Sequence, residues 1–300
     1  MKLLTIAVLG LSLFACKKTH SEPADYQETA KTKFLTTNGV SYAYRELGNN
    51  TGTPVLMISP LGSNMDDWDP AITNGLAQKY KVILFDLPGE GASSGTTPDN
   101  IPAMATSVTA FVHAMGLKKV NLLGFSLGSF ISQQIALTEP GIINKIILTG
   151  TGPKGAVGLS NLPSLLAAGA NLTAEQNFLR FGFTESTASL NAGKAAWLRI
   201  QARVQDRDSA VSPASATAQV TAVLGWAQPY ANAADELKTI TQPVLIVQGK
   251  EDVPVPVGNA EFMAQNIPNA QLIVYPDAAH AALFQNPAEF VQSVVTFIEQ

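Results

Sequence analysis

Cysteine is nearly absent from this chain: Cys16 stands alone among 300 residues. A single thiol forms no internal disulfide, so a disulfide framework is excluded. Histidine is scarce as well, at three residues, and none joins a His-Glu-x-x-His pattern or a Cys/His cluster. Nothing in the sequence therefore calls for a metal, and none calls for an organic cofactor. Charged residues make up only 14% of the chain, with a net charge of −4 and no basic patch. That pattern argues against nucleic acid as a partner. The apolar stretch from Leu3 to Ala15 is too short to span a bilayer.

What is present suits a globular protein. Hydrophobic residues reach 46%, and the length allows one or two domains with a sizeable core. The N-terminus has its own logic. Met1-Lys2 gives a positive start, and residues 3–15 read as a signal-peptide core. The run Leu13-Phe14-Ala15-Cys16 resembles the lipobox of bacterial lipoproteins, in which the cysteine is lipidated and becomes the new N-terminus. That resemblance implies an exported protein held by lipid on Cys16 to a membrane facing the periplasm or exterior. Residues 16–32 are polar and without periodicity, as expected of a flexible tether.

Beyond the tether, strand and helix patterns alternate. Asn38-Gly39 between two short alternating segments is a hairpin signal. Apolar runs at 54–59, 82–85, 120–125, 145–149, 244–248 and 271–275 read as strands buried on both faces. Helical patterns fall at about 68–79, 102–115, 127–138, 260–266 and 287–299. This alternation predicts a mostly parallel sheet with helices on both faces. Residues 153–237 break the rhythm with helical patterns only, and predict a helical cap inserted after the sixth strand. The core is thus read as two parts, 33–152 and 238–300.

Two segments match G-x-S-x-G. Around Ser126 an apolar strand leads in and a helical pattern leads out, as the sharp turn that exposes a nucleophilic serine requires. Ser93, in Gly91-Ala92-Ser93-Ser94-Gly95, runs instead into Thr96-Thr97-Pro98 and reads as a loop. Of the histidines, His20 lies in the tether and His113 in a helix. His280 follows the last predicted strand, in the loop zone where open α/β sheets bind ligands, and is the candidate general base. Asp252, after the strand 244–248, is the candidate carboxylate to orient it, with Glu251 and Asp277 as alternatives.

Together these residues carry a resemblance to the α/β-hydrolase superfamily, in its compact esterase, lactonase and peroxidase-like group. It extends from about Phe34 to the C-terminus, more loosely in the cap. Gly124–Gly128, Gly249–Asp252 and His280 carry it, with Asp86-Leu87-Pro88-Gly89-Glu90-Gly91-Ala92-Ser93 similar to the family's D-x-x-G-x-G-x-S turn. The resemblance implies an α/β-hydrolase fold, a triad of Ser126, Asp252 and His280, and an oxyanion hole made by the backbone N–H groups of Leu61 and Leu127. It gives Asp86 and Ser93 a structural turn. The chain departs from the family at Ser59-Pro60-Leu61-Gly62, where His-Gly is usual. Proline has no N–H to offer, and the bracing histidine is missing, so Ser59 takes that role or the loop is looser.

The expected chemistry is acyl transfer on a small carboxylic ester or lactone through an acyl-enzyme. C–C bond hydrolysis or perhydrolysis on the same triad is the alternative within the enzyme class. A ligand-binding or signalling protein with slow turnover is the alternative outside it. The aromatics Phe178, Phe181, Phe183, Trp197 and Trp226 predict either an apolar pocket or the core of the cap.

Overall fold

The structure is a computed structural model that describes residues 26–300. Cys16, His20, the signal-peptide reading and the first part of the tether lie outside the described residues.

Eight strands form one sheet: β1 (Lys33–Thr37), β2 (Val40–Leu47), β3 (Val55–Ile58), β4 (Val82–Phe85), β5 (Val120–Phe125), β6 (Ile143–Thr149), β7 (Val244–Gly249) and β8 (Ala270–Tyr275). Their order is β1-β2-β4-β3-β5-β6-β7-β8. The first two are antiparallel, and every pairing from β4 to β8 is parallel. The β1–β2 hairpin turns at Asn38 (φ 49°) and Gly39 (φ 78°). Two consecutive positive φ values define the tight turn that matches strand twist, and Asn-Gly is the pair that tolerates them.

Alternate residues of the central strands enter opposite cores. Leu56, Ile58, Ile83, Phe85, Leu122, Ile146, Leu148 and Ile246 pack with the helices Ile101–Ala114, Leu127–Thr138 and Gly258–Asn266. Val55, Met57, Val82, Leu84, Leu123, Ile147, Leu245 and Val247 pack with Pro70–Ala77 and Pro287–Glu299. A strand covered on both faces has no polar side to present, which is why these segments read as unbroken apolar runs.

Among the described residues, the chain between β6 and β7 holds helices and no strand: Leu162–Ala167, Ala174–Gly182, Thr187–Ile200, Pro213–Trp226 and Ala233–Lys238. Thr173 and Gln176 cap the second reciprocally, and Ser212 with Pro213 starts the fourth. No helix among the described residues is long and apolar enough to cross a membrane.

The tether reading needs correction at its inner end. Tyr26–Thr29 is a helical turn, and Gln27 is buried. Arg203, from the cap, donates to the carbonyls of Gln27 (2.6 Å), Glu28 (3.0 Å) and Ala30 (2.9 Å). A short helix leaves its last carbonyls unsatisfied, and one guanidinium supplies the donors. Polar groups of Gln27, Glu28, Ala30 and Thr32 meet partners elsewhere in the fold, and hydropathy alone reads such a segment as unstructured.

Candidate active site

At the C-terminal edge of the sheet, β5 turns sharply into the helix Leu127–Thr138 through Ser126, whose φ is 51° and ψ −115°. Few non-glycine residues adopt such a backbone, and the turn persists only because its surroundings fix it. The flanking glycines show how tight it is. A Cβ on Gly124 would lie 2.3 Å from the Gly128 carbonyl oxygen, and one on Gly128 would lie 2.0 Å from that of Ile58. Strand and helix could not approach this closely with any other residue.

His280 and Asp252 meet Ser126 here. His280 Nε2 lies 2.9 Å from Ser126 Oγ, and His280 Nδ1 lies 2.8 Å from Asp252 Oδ2. The histidine and aspartate are buried, while the serine is half-exposed. Two further donors hold the carboxylate: Val255 N–H to Oδ1 at 2.8 Å and Gln248 Nε2 to Oδ2 at 2.7 Å. With Nδ1 facing a carboxylate, the ring carries its proton there and leaves Nε2 free to accept from a hydroxyl.

The alternatives lie elsewhere. Glu251 is exposed. Asp277 accepts from Ser186 Oγ (2.6 Å) and Thr184 Oγ1 (2.7 Å), hydroxyls of the cap that hold its carboxyl below the ordinary range. Ser93 Oγ donates to the Asp86 carbonyl and accepts from the Ala43 N–H, so it closes a turn. His113 sits on the surface beside Glu139.

Two residues of the site escape the sequence reading. Gln248 reads as the end of a buried strand, yet its amide links Asp252 to the Thr151 N–H, which donates to Oε1 at 3.0 Å. A glutamine closing an otherwise apolar run was the available signal. Gly150 has φ 58°, and a Cβ there would lie 2.9 Å from His280 Cε1, so the imidazole packs against bare backbone.

Ser126 and His280 open into a cavity of about 720 Å³. The Pro60–Asn64 loop lines one part of it, and the cap lines another with Leu159, Leu162, Phe178, Phe181 and Trp197. The cap aromatics therefore divide. Phe178, Phe181 and Trp197 face the cavity. Phe183 is buried against Phe178, and Trp226 stacks on Phe130, so these two belong to packing. Leu127 begins a helix, and its N–H precedes any intrahelical acceptor. Leu61 lines the cavity from the loop after β3. Ser59 Oγ accepts from Trp68 Nε1 at 3.1 Å, so this serine does brace the loop that lacks a histidine. Among the described residues, no group of three or more His, Cys, Asp or Glu side chains is placed to hold a metal ion.

This fold, with a serine at the strand–helix elbow and a histidine after the last strand, defines a class, and comparison with known proteins agrees. The family model for the alpha/beta hydrolase fold matches residues 53–287, and the chain belongs to that family. A solved alpha/beta hydrolase fold protein from Chitinophaga pinensis is 37% identical, with a TM-score of 0.88, covering 91% of this chain and 99% of that one. The pimeloyl-[acyl-carrier protein] methyl ester esterase of Nitrosomonas europaea is 26% identical, over 80% of this chain and 93% of its own. The 2-hydroxy-6-oxo-6-phenylhexa-2,4-dienoate hydrolase of Burkholderia cepacia is 26% identical, over 91% and 98%. The chain is a hydrolase by this kinship.

Proposed function

We propose that the protein is a serine hydrolase acting on a small carboxylic ester or lactone through an acyl-enzyme. One observation carries the reading: an unbroken hydrogen-bonded line from Asp252 through His280 to Ser126, at the floor of a largely apolar cavity. In this reading His280 Nε2 takes the Ser126 proton as Oγ bonds to the substrate carbonyl carbon. Asp252 stays ionised and stabilises the imidazolium. The Leu61 and Leu127 N–H groups receive the oxyanion. The tetrahedral intermediate collapses as His280 protonates the leaving alkoxide. Water then attacks the acyl-enzyme, giving its proton to His280 and releasing the acid.

Fluorophosphonate labelling of the wild type and of Ser126→Ala tests the nucleophile. Labelling of the first and not the second is expected, together with turnover on short-chain esters or lactones that Ser126→Ala lacks. A folded wild type that resists the probe overturns the reading, and labelling without turnover favours a binding role.

We also propose that Cys16 is lipidated and holds the enzyme at a membrane surface outside the cytoplasm, on the strength of Leu13-Phe14-Ala15-Cys16 after a short apolar segment. Incorporation of labelled palmitate that Cys16→Ser abolishes is the expected result. Equal labelling of both proteins refutes it.

A further inference from the structure

The oxyanion loop is held from the cap. Residues Pro60–Ser63 form a turn closed by the Ser63 N–H and the Pro60 carbonyl at 3.3 Å, with Gly62 at φ 78°. A Cβ on Gly62 would meet nothing within 4 Å, so the glycine serves the backbone conformation and not a close approach. Positive φ at the third position is the requirement of a type II turn. Such a turn has a close competitor in which its central peptide, here Leu61–Gly62, is flipped. The Gly62 N–H decides between the two, and it donates to Gln219 Oε1 at 2.8 Å.

Gln219 lies on the cap helix Pro213–Trp226 and is fully buried. A backbone N–H can only donate, so the amide must turn its oxygen toward Gly62 and its nitrogen away. That nitrogen donates to Glu90 Oε1 at 2.7 Å. Glu90, also buried, sits in the turn after β4, and Ser215 Oγ of the same cap helix donates to the neighbouring Gly89 carbonyl at 2.8 Å. Each of these buried polar groups is costly to leave unmatched, so the three fix one another.

We propose that Gln219 is a positioning residue for the oxyanion loop, and that Glu90 fixes the direction of its amide. The cap thereby sets the Leu61–Gly62 peptide, and so the conformation of the turn from which the Leu61 N–H, on the preceding peptide, projects. This rests on the acyl-transfer reading above. It also supplies from the cap a second hold on the loop, at Gly62, beside the Trp68 contact at Ser59.

Three variants assayed on a soluble short-chain ester test this, with Ser126→Ala alongside. Gln219→Met keeps the bulk and removes both hydrogen bonds. Since a lost oxyanion donor lowers kcat by about 10²–10³-fold, a misdirected one should lower it by about 10–100-fold, with KM within about twofold. Gln219→Glu sets two carboxyls against each other and should also be slow at alkaline pH, where the pair no longer shares a proton. The double variant E90Q/Q219E reverses the polarity: the new carboxylate at 219 accepts from both the Gly62 N–H and the new amide at 90. It should recover most of the lost kcat. Wild-type kcat in Gln219→Met, a loss confined to KM, or no recovery in the double variant each overturns the proposal. If Ser126→Ala retains turnover, the acyl-transfer reading has failed instead.

Discussion

Glu90 should contribute stability that is lost as pH rises toward neutrality. Burial pushes its carboxyl from the ordinary 4.5 up to about 7, against which the Gln219 hydrogen bond works only in part. Below pH 4.5 the group is protonated both folded and unfolded, and burial carries no ionisation penalty. Between pH 4.5 and 7 the unfolded chain releases the proton while the folded chain keeps it. The folded state then binds more protons, so stability falls as pH rises across this window. Two and a half pH units correspond to about 3 kcal/mol, all of it lost above pH 7. Glu90→Gln removes the ionisation and keeps an acceptor for Gln219. Asp86 and Asp208 slope the same way: burial and neighbouring carboxylates raise both, the latter to about 6. The comparison between variant and wild type isolates Glu90. Urea unfolding at pH 4.5 and pH 8 should show the stability difference moving in favour of Glu90→Gln by about 3 kcal/mol as pH rises. A difference that stays constant between the two pH values refutes the reasoning.

Other perturbations follow from single contacts. Asp252→Asn should lower kcat by about 10⁴-fold, because the imidazole loses its tautomer and its counter-charge. Asp277→Asn, whose partners are cap hydroxyls, should change kcat by less than about threefold in the same assay. Gly150→Ala puts a methyl against the His280 ring at a left-handed position, and should lower kcat more than about tenfold in steady-state assays. Arg203→Met should free residues 26–30, seen as faster limited proteolysis there, and should destabilise the protein by about 3 kcal/mol in urea melts.

The sheet is legible in the sequence because strands buried on both faces leave no choice of residue: Val82–Phe85 and Val244–Gly249 are apolar throughout but for Gln248. The turn at Ser126 is legible because its geometry depends on neighbours in the chain, two glycines and a strand–helix junction. Asp252 and His280 stand out by their place after late strands. What escapes is long-range polar pairing. Gln219 and Gly62 are 157 residues apart, and Arg203 and Gln27 176. No local pattern distinguishes a glutamine that will face a peptide N–H from one that will face water. The same holds for Tyr26–Thr29, which is held by partners far along the chain, Met65, Asn74 and Arg203.

The backbone at Ser126 has a consequence for the protein's history as well as its chemistry. A residue held at φ 51° and ψ −115° is a place where the fold works against itself. Glycine there would relax the turn and lose only what the side chain makes, the Oγ contact with His280 Nε2. A less strained version of this chain is thus one substitution away, and on the acyl-transfer reading it is an inert one.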